Sequence, residues 1–342
     1  MKKKLTHVAS YIPLLLLLLV GIVLTGRFLL MERVDTRNAI TIYSGRSEDL
    51  IQPLIDRFTE ETGIRVYIRY GQTAEMAATI LEEGRNSPAD IFFAQDAGAL
   101  GALSRAGRLA PLPEDLLEEV EPRFRSPKHH WIGVSGRARV AAYNPHRISP
   151  EQLPEDLSGF CAPEWQGRVG WAPANGSFQA FVTALRVTQG EEATRTWLAC
   201  MQANGTRAYA KNTPIIAAVE AGEIDVGLVN HYYIHAMQQG RQTAMHVRNH
   251  YFASDVLVNV AGASIIDTSG NKDLAEQFVR YLLAADAQRY FTDHTYEYPL
   301  AAHAETNPAL PPLRTLQTPD MDLSELDDLE GTLRLLQDLG IL

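Results

Sequence analysis

Positive charge is scarce in this chain, and that scarcity excludes whole classes of partner. Lys and Arg total 31 against 41 Asp and Glu, a net charge of −10 over 342 residues. Lys2, Lys3 and Lys4 stand within the first 26 residues, so the rest of the chain is at −13. A balance of that sign argues against nucleic acid or an anionic membrane surface as the main partner and is compatible with a cationic ligand. Cysteine is scarcer still: Cys161 and Cys200 are the only two. In an oxidising compartment such a pair reads as a structural disulfide, the alternative being two buried free thiols. Internal repeats and low-complexity tracts are lacking, and so are enzyme signatures. Gly133-Val134-Ser135-Gly136 is no nucleophile elbow, because Arg137 stands where the second glycine is needed. No lysine-bearing phosphate loop and no glycine-rich dinucleotide fingerprint follows the first strand. His231 and His235 have the i, i+4 spacing of a zinc pair but enclose no glutamate base, and with His129 and His130 they read as surface residues.

The N-terminus is the one place with a long apolar run. Lys2 to Lys4 precede Tyr11 to Leu24, which contains six consecutive leucines, the layout of a secretory signal. Leu24-Thr25-Gly26 is a loose match to a cleavage site. Apolar residues resume at Phe28, so Ile12 to Met31 is almost long enough to span a bilayer. Residues 1–34 are therefore a cleaved signal or an uncleaved anchor. The lysines hold the N-terminus in the cytoplasm, which exports the remainder in either case.

Beyond that segment, 46% hydrophobic residues suffice for a sizeable core and the length suits two domains. A βα rhythm runs from Ala39 to Ala106, predicting a mostly parallel sheet covered on both faces. Trp131 to Asn144 is a long extended stretch with no helix inside it, as expected of a crossing between lobes. A second βα series follows from Arg168, and Phe252 to Val260 reads as a crossing back. Leu326 to Leu339 closes the chain as a helix. The pattern predicts an α/β protein of two lobes with a cleft between: 38–134 plus about 262–304, and 135–261 plus about 305–342.

The centre of the second series is Asp225 to His235. A buried strand, Val226 to Val229, leads into adjacent Tyr232 and Tyr233, and the crevice beyond a strand's carboxyl end is where open α/β sheets bind ligands. Helical neighbours point about 100° apart, one inward and one outward, whereas in a turn both phenols can face one cleft. Both readings stand. A phenol's pKa lies near ~10, so only a strongly Lewis-acidic cation displaces its proton at neutral pH, which points to ferric iron if to any metal. Asn175-Gly176-Ser177 precedes a helix near Phe178, where free backbone N–H groups bind anions. Ser44-Gly45-Arg46-Ser47 has the same form in the first lobe. Arg137 shares the crossing stretch with Tyr143, bringing a guanidinium and a phenol toward one cleft; solvated or salt-bridged surface positions are the alternative for both arginines.

From about Ile40 to Leu342 the chain resembles the ferric-ion-binding periplasmic proteins that feed bacterial ABC importers. The resemblance is carried in order by ITIYSGR, SPADIFFAQDAG, WIGVSGRARVAAYNP, PEWQGRVGWAPANGSFQAFV, RAYAKNTP, AVEAGEIDVGLVNHYYIH and YEYPL. It implies a two-lobe periplasmic binding protein fold with a hinged cleft. It also implies Fe3+ as cargo on the phenolates of Tyr232, Tyr233 and Tyr143. A synergistic carbonate or phosphate would lie at Asn175, Gly176 and Ser177, with Arg137 or Arg46 assisting and Asn212 and Asn230 lining the anion side. A permease in the inner membrane is the implied partner, with membrane contact only through the N-terminal segment if that segment is uncleaved. Where many members carry a histidine and an acidic ligand in the first lobe, this chain has Ser47 and Gln95. The expected function is a ferric-iron carrier; the other readings are a carrier of phosphorylated or phosphonate solutes and a membrane-anchored ligand sensor.

Overall fold

Residues 38–239, 241–253 and 256–342 are described by a computed structural model; the signal or anchor at 1–34 and the Ile12 to Met31 run lie outside them. Among the described residues no helix is long and apolar enough to cross a membrane. β1 (Ala39–Ser44), α1 (Glu48–Thr62), β2 (Arg65–Tyr70), α2 (Thr73–Glu83), β3 (Ile91–Ala94) and α3 (Ala97–Arg105) follow the expected alternation. Ile40, Ile42, Ile91, Phe92 and Phe93 have no exposed surface, as befits strands covered on both faces.

β4 (Ile132–Tyr143) is the expected crossing strand. Its first part runs antiparallel to β9 (Val258–Ile265), from Ile132 opposite Ala263 to Ala138 opposite Val258. Its last part runs antiparallel to β7 (Val226–Asn230), from Arg139 opposite Asn230 to Tyr143 opposite Val226. The returning strand thus begins at Val258, later than the expected Phe252. Between β4 and β7 the chain forms β5 (Val169–Trp171), α4 (Gly176–Gln189), α5 (Glu191–Ala203), β6 (Arg207–Ala208) and α6 (Asn212–Ala221). After β7 come α7 (Tyr232–Gln238) and β8 (Arg248–His250). The strand order is β2-β1-β3-β9-β4-β7-β5-β6, so β4 and β9 join two α/β halves at the middle of the sheet.

α8 (Lys272–Leu283), α9 (Ala285–Tyr290), a π-helical turn at Phe291–Thr295 and β10 (Tyr298–Pro299) return along the first half. The C-terminal helix expected from Leu326 is two pieces: a 3₁₀ turn, Leu323–Asp327, and α10 (Leu329–Asp338), which Asp328 caps by accepting from Gly331 N–H at 3.0 Å. The 3₁₀ turn packs on α3. Trp131 Nε1 donates to Ser324 Oγ at 3.0 Å, Arg105 pairs with Asp327, and Arg123 reaches Thr318 at 2.8 Å. A Cβ at Gly98 or Gly101 of α3 would stand 2.4 Å from Leu326 O or 2.1 Å from Ser324 O, so only glycine permits this approach. Asp328 then pairs with Arg186 of α4 at 2.8 Å. The C-terminal segment thus reaches α3 through Asp327 and α4 through Asp328, contacts hidden in the sequence because their partners are remote in the chain.

Cys161 and Cys200 are joined as a disulfide that ties the turn Leu157–Cys161 to α5. The cysteines are 39 residues apart, and closing a loop of that size stabilises by about 2–4 kcal/mol. Replacing both by serine is expected to lower stability by that amount in urea unfolding, with the cleft, which neither cysteine lines, keeping its ligand affinity.

Candidate functional site

Four strand ends open on one cavity of about 660 Å³. β1 leads to Gly45, β3 to Gln95 and Asp96, β5 to Asn175, and β7 to Tyr232 and Tyr233; Arg137, Arg139 and Asn259 line it from the crossing strands. This is the crevice at strand carboxyl ends that the topology favours for ligands.

The tyrosines occupy the first turn of α7, and yet both line the cavity. Their rings stack, with centroids 4.4 Å apart and planes 25° from parallel. The choice between a helix and a shared cleft is resolved by both at once, since a helix start has no preceding turn to force the rings apart. Burial, then the neighbouring Tyr233, pushes the Tyr232 phenol well above its ordinary pKa, against the pull of Arg137. It is a neutral phenol until something displaces the proton.

His231 fixes this turn. Its Nδ1 accepts from Ala138 N–H at 3.1 Å and its Nε2 donates to Tyr296 O at 2.8 Å, so two backbone partners set one neutral tautomer. Burial pushes its pKa down to about 4, and its ring stacks on Tyr298 at 4.7 Å. The surface position expected for His231 is thus corrected: it is wholly buried with both nitrogens in use, which also removes a zinc pair with His235. Among the described residues no group of three or more His, Cys, Asp or Glu is placed to hold a metal.

Asn175 caps α4, accepting from Ser177 N–H at 3.0 Å and from Ser177 Oγ at 2.5 Å. Asn175, Gly176, Ser177 and Asn230 line the cavity, while Asn212 stands behind them and donates to Asn175 Oδ1 at 3.3 Å. Arg137 lines the cavity and donates to Gln95 O.

Arg139 was not singled out by the sequence reading. It lies two residues after Arg137 on one strand, hence on the same face, and that spacing is the signal that could have found it. The guanidinium is buried against Phe178 and Phe181, 5.4 and 5.3 Å from the ring centroids. It donates to Leu228 O at 2.7 Å, while its Nε and Nη1 have no hydrogen-bond partner in the protein. Burial pushes its pKa down to about 9, with Tyr233 and Tyr232 acting the other way.

Two residues expected at the site stand outside the cavity lining. Tyr143 lies opposite Val226, at the entry end of β7, whereas the cavity lies at the exit end opposite Arg139. Four residues of strand separate the two ends, about 13 Å, and Tyr143 does not line the cavity. Arg46 is also outside the lining: its guanidinium is buried and gripped by both oxygens of Glu297, at 2.9 and 3.0 Å. It also donates to Gln95 Oε1 at 2.8 Å and lies over the Phe291 ring. Arg46 thus orients the cavity wall, with its charge already matched.

Burial works against the Glu297 carboxylate, but Arg46 and Arg137, with hydrogen bonds from Arg46 and Ser135, outweigh it and hold the pKa below the ordinary 4.5. A depressed carboxylate contributes stability above its unfolded pKa and loses it as pH falls through the folded value. Glu297→Gln leaves Arg46 buried without a counter-charge, so it is expected to cost about 3–5 kcal/mol at pH 7. Urea unfolding from pH 7 to 3 should also show a flatter acid limb than in the wild type.

The comparisons agree with this architecture. A profile of the bacterial extracellular solute-binding proteins matches residues 86–325. The Fe(3+)-binding periplasmic protein of Serratia marcescens is 33% identical over 91% of this chain and 93% of its own. Iron-bound HitA from Pseudomonas aeruginosa superposes with a TM-score of 0.81 at 33% identity, over 88% of this chain and 99% of its own. The Trichodesmium protein IdiA (FutA), solved with iron and citrate, gives 0.79 at 28% identity over the same shares. With a two-lobe α/β fold, a cleft at the strand ends and matches along nearly its whole described length, this chain belongs to the bacterial extracellular solute-binding proteins.

Proposed function

We propose that this protein captures ferric iron in the periplasm and delivers it to an ABC importer in the inner membrane. The observation that carries the reading is the stacked pair Tyr232 and Tyr233 on a cavity that also holds the unmatched cation Arg139. Two phenols against a buried guanidinium gain from losing their protons, and a ferric ion supplies the Lewis acidity that drives the loss. Relatives named for ferric-iron binding span nearly the whole chain, which supports the same cargo here and disfavours a phosphorylated solute.

Two phenolates leave most of an octahedral iron shell open. The start of α4 at Asn175, Gly176 and Ser177, with Asn230 beside it and Arg137 and Arg139 on the cavity floor, suits an oxyanion that completes the shell. Carbonate and phosphate are the simplest anions of that kind. The two lobes would close on the loaded site about β4 and β9, and the closed form would be the one the permease receives. Ile12 to Met31 would supply membrane contact only where it is retained after export.

A visible-absorption titration of the domain from Ile40 onward with ferric iron in bicarbonate buffer tests the reading. A phenolate on Fe3+ gives a charge-transfer band that a phenol cannot. Tyr232→Phe and Tyr233→Phe together are expected to abolish the band and stoichiometric binding without loss of folding. A colourless wild type with iron in excess would sink the assignment. Tyr143→Phe is expected to leave both band and affinity unchanged, because that phenol lies at the wrong end of the strand pair.

A further inference from the structure

Tyr296 holds a backbone conformation that its own side chain makes costly. Its φ is 55° and its ψ 24°, the left-handed region, and among the described residues only His129 and Tyr296 take a positive φ without being glycine. Glycine or asparagine enters this region with little penalty, so a backbone requirement alone does not call for a tyrosine here. The turn around it is firmly set. Tyr296 N–H donates to Phe291 O at the end of the π-helical turn, Glu297 grips Arg46, and Tyr298 and Pro299 pair with Gly136 and Ser135 of β4. Held in this way, Tyr296 offers two different groups to α7. Its carbonyl accepts from His231 Nε2 at 2.8 Å, and its ring stacks on the His235 ring with centroids 4.5 Å apart and planes 11° from parallel.

The two histidines bracket the phenols: His231 directly precedes Tyr232, and His235 stands two positions after Tyr233. Four residues apart, they share one helix face, so a single residue meets α7 on both sides of the tyrosine pair. α7 has only seven residues and no side-chain cap at its start. A helix that short takes its orientation from what it packs on and not from its own hydrogen bonds. We propose that Tyr296 is a positioning residue for iron capture, which through His231 and His235 fixes the rotation of α7 and so brings both phenol oxygens to one metal ion. The inference rests on the iron reading for the role of Tyr232 and Tyr233. A phenol oxygen lies at the far end of a long side chain, and a small rotation of α7 displaces it by more than the ~0.2 Å that a metal–ligand distance tolerates. The cost of a tyrosine in the left-handed region is then the cost of presenting a carbonyl and a ring from one place.

The test is iron affinity in bicarbonate buffer, measured on the purified protein by competition with citrate, with the position of the visible band recorded alongside. Tyr296→Gly keeps the left-handed backbone and the carbonyl but removes the ring. It is expected to weaken iron binding about tenfold to a hundredfold, as loss of a group that orients a metal ligand does, and to shift the band. Tyr296→Phe keeps the ring and the backbone, and both readouts should return to those of the wild type. His235→Ala breaks the same stack from the α7 side with Tyr296 untouched, so it should reproduce the loss. Combined with Tyr296→Gly it should be no worse than either change alone, because both remove one interaction. Wild-type affinity and band in Tyr296→Gly or in His235→Ala would overturn the inference. So would a loss in Tyr296→Phe equal to that in Tyr296→Gly, or losses that add in the double variant. Failure of the iron reading shows separately, as a wild-type band that never forms or one that survives Tyr232→Phe with Tyr233→Phe.

Discussion

The buried ion pair between Arg46 and Glu297 is the contact on which the rest of the site depends. It joins the turn after the first strand to a segment about 250 residues later, inside a volume that excludes water. Bringing two charges there carries a desolvation cost that only a two-point geometry and further hydrogen bonds offset, and Ser135 and Gln95 supply those. Next to Glu297, the backbone of Tyr296 receives His231 and the ring of Tyr298 lies flat on it, so the ion pair also fixes the residue before the tyrosine pair. One polar cluster thus sets the pose of Gln95 on one wall and of Tyr232 on the other.

Two guanidinium groups, Arg137 and Arg139, lie among the residues that line the cavity. Arg137 acts on the carboxylates of Glu297 and Asp96, whereas Arg139 keeps two buried N–H groups unpartnered by the protein. Leaving such groups unsatisfied costs free energy, and under the proposed function an anion would recover it. The same arginines favour the phenolate over the phenol. Binding an anion and binding a hard cation are therefore linked through these guanidinium groups.

Much of this was legible in the sequence, and the misses share a cause. The βα rhythm, the crossing strand from Trp131 to Asn144 and the tyrosine pair beyond a buried strand all follow from patterns within a few residues, and the strands and helices sit where those patterns put them. The place of Tyr143 was not legible because a strand's direction relative to its neighbour decides which end meets the cleft, and pairing with β7 puts Tyr143 at the entry end. That of Arg46 was not legible because its partner Glu297 is remote in sequence. His231 was misread because histidine beside two tyrosines carries no local mark of burial; its two backbone partners come from β4 and from the turn before β10. Arg139 was there to be read, two positions after Arg137, but an arginine on an interior strand face looks like an error until a cavity is known to lie above it.

The adjacent residues Asp327 and Asp328 grip different helices, α3 through Arg105 and α4 through Arg186. Leu326, Asp327 and Leu329 border the cavity, so one of its sides is a continuous stretch of main chain stapled at both ends. A cleft walled in this way has a handed mouth. The C-terminal turn, far along the chain from the tyrosine pair, is thus itself part of the wall that closes one side of the cleft.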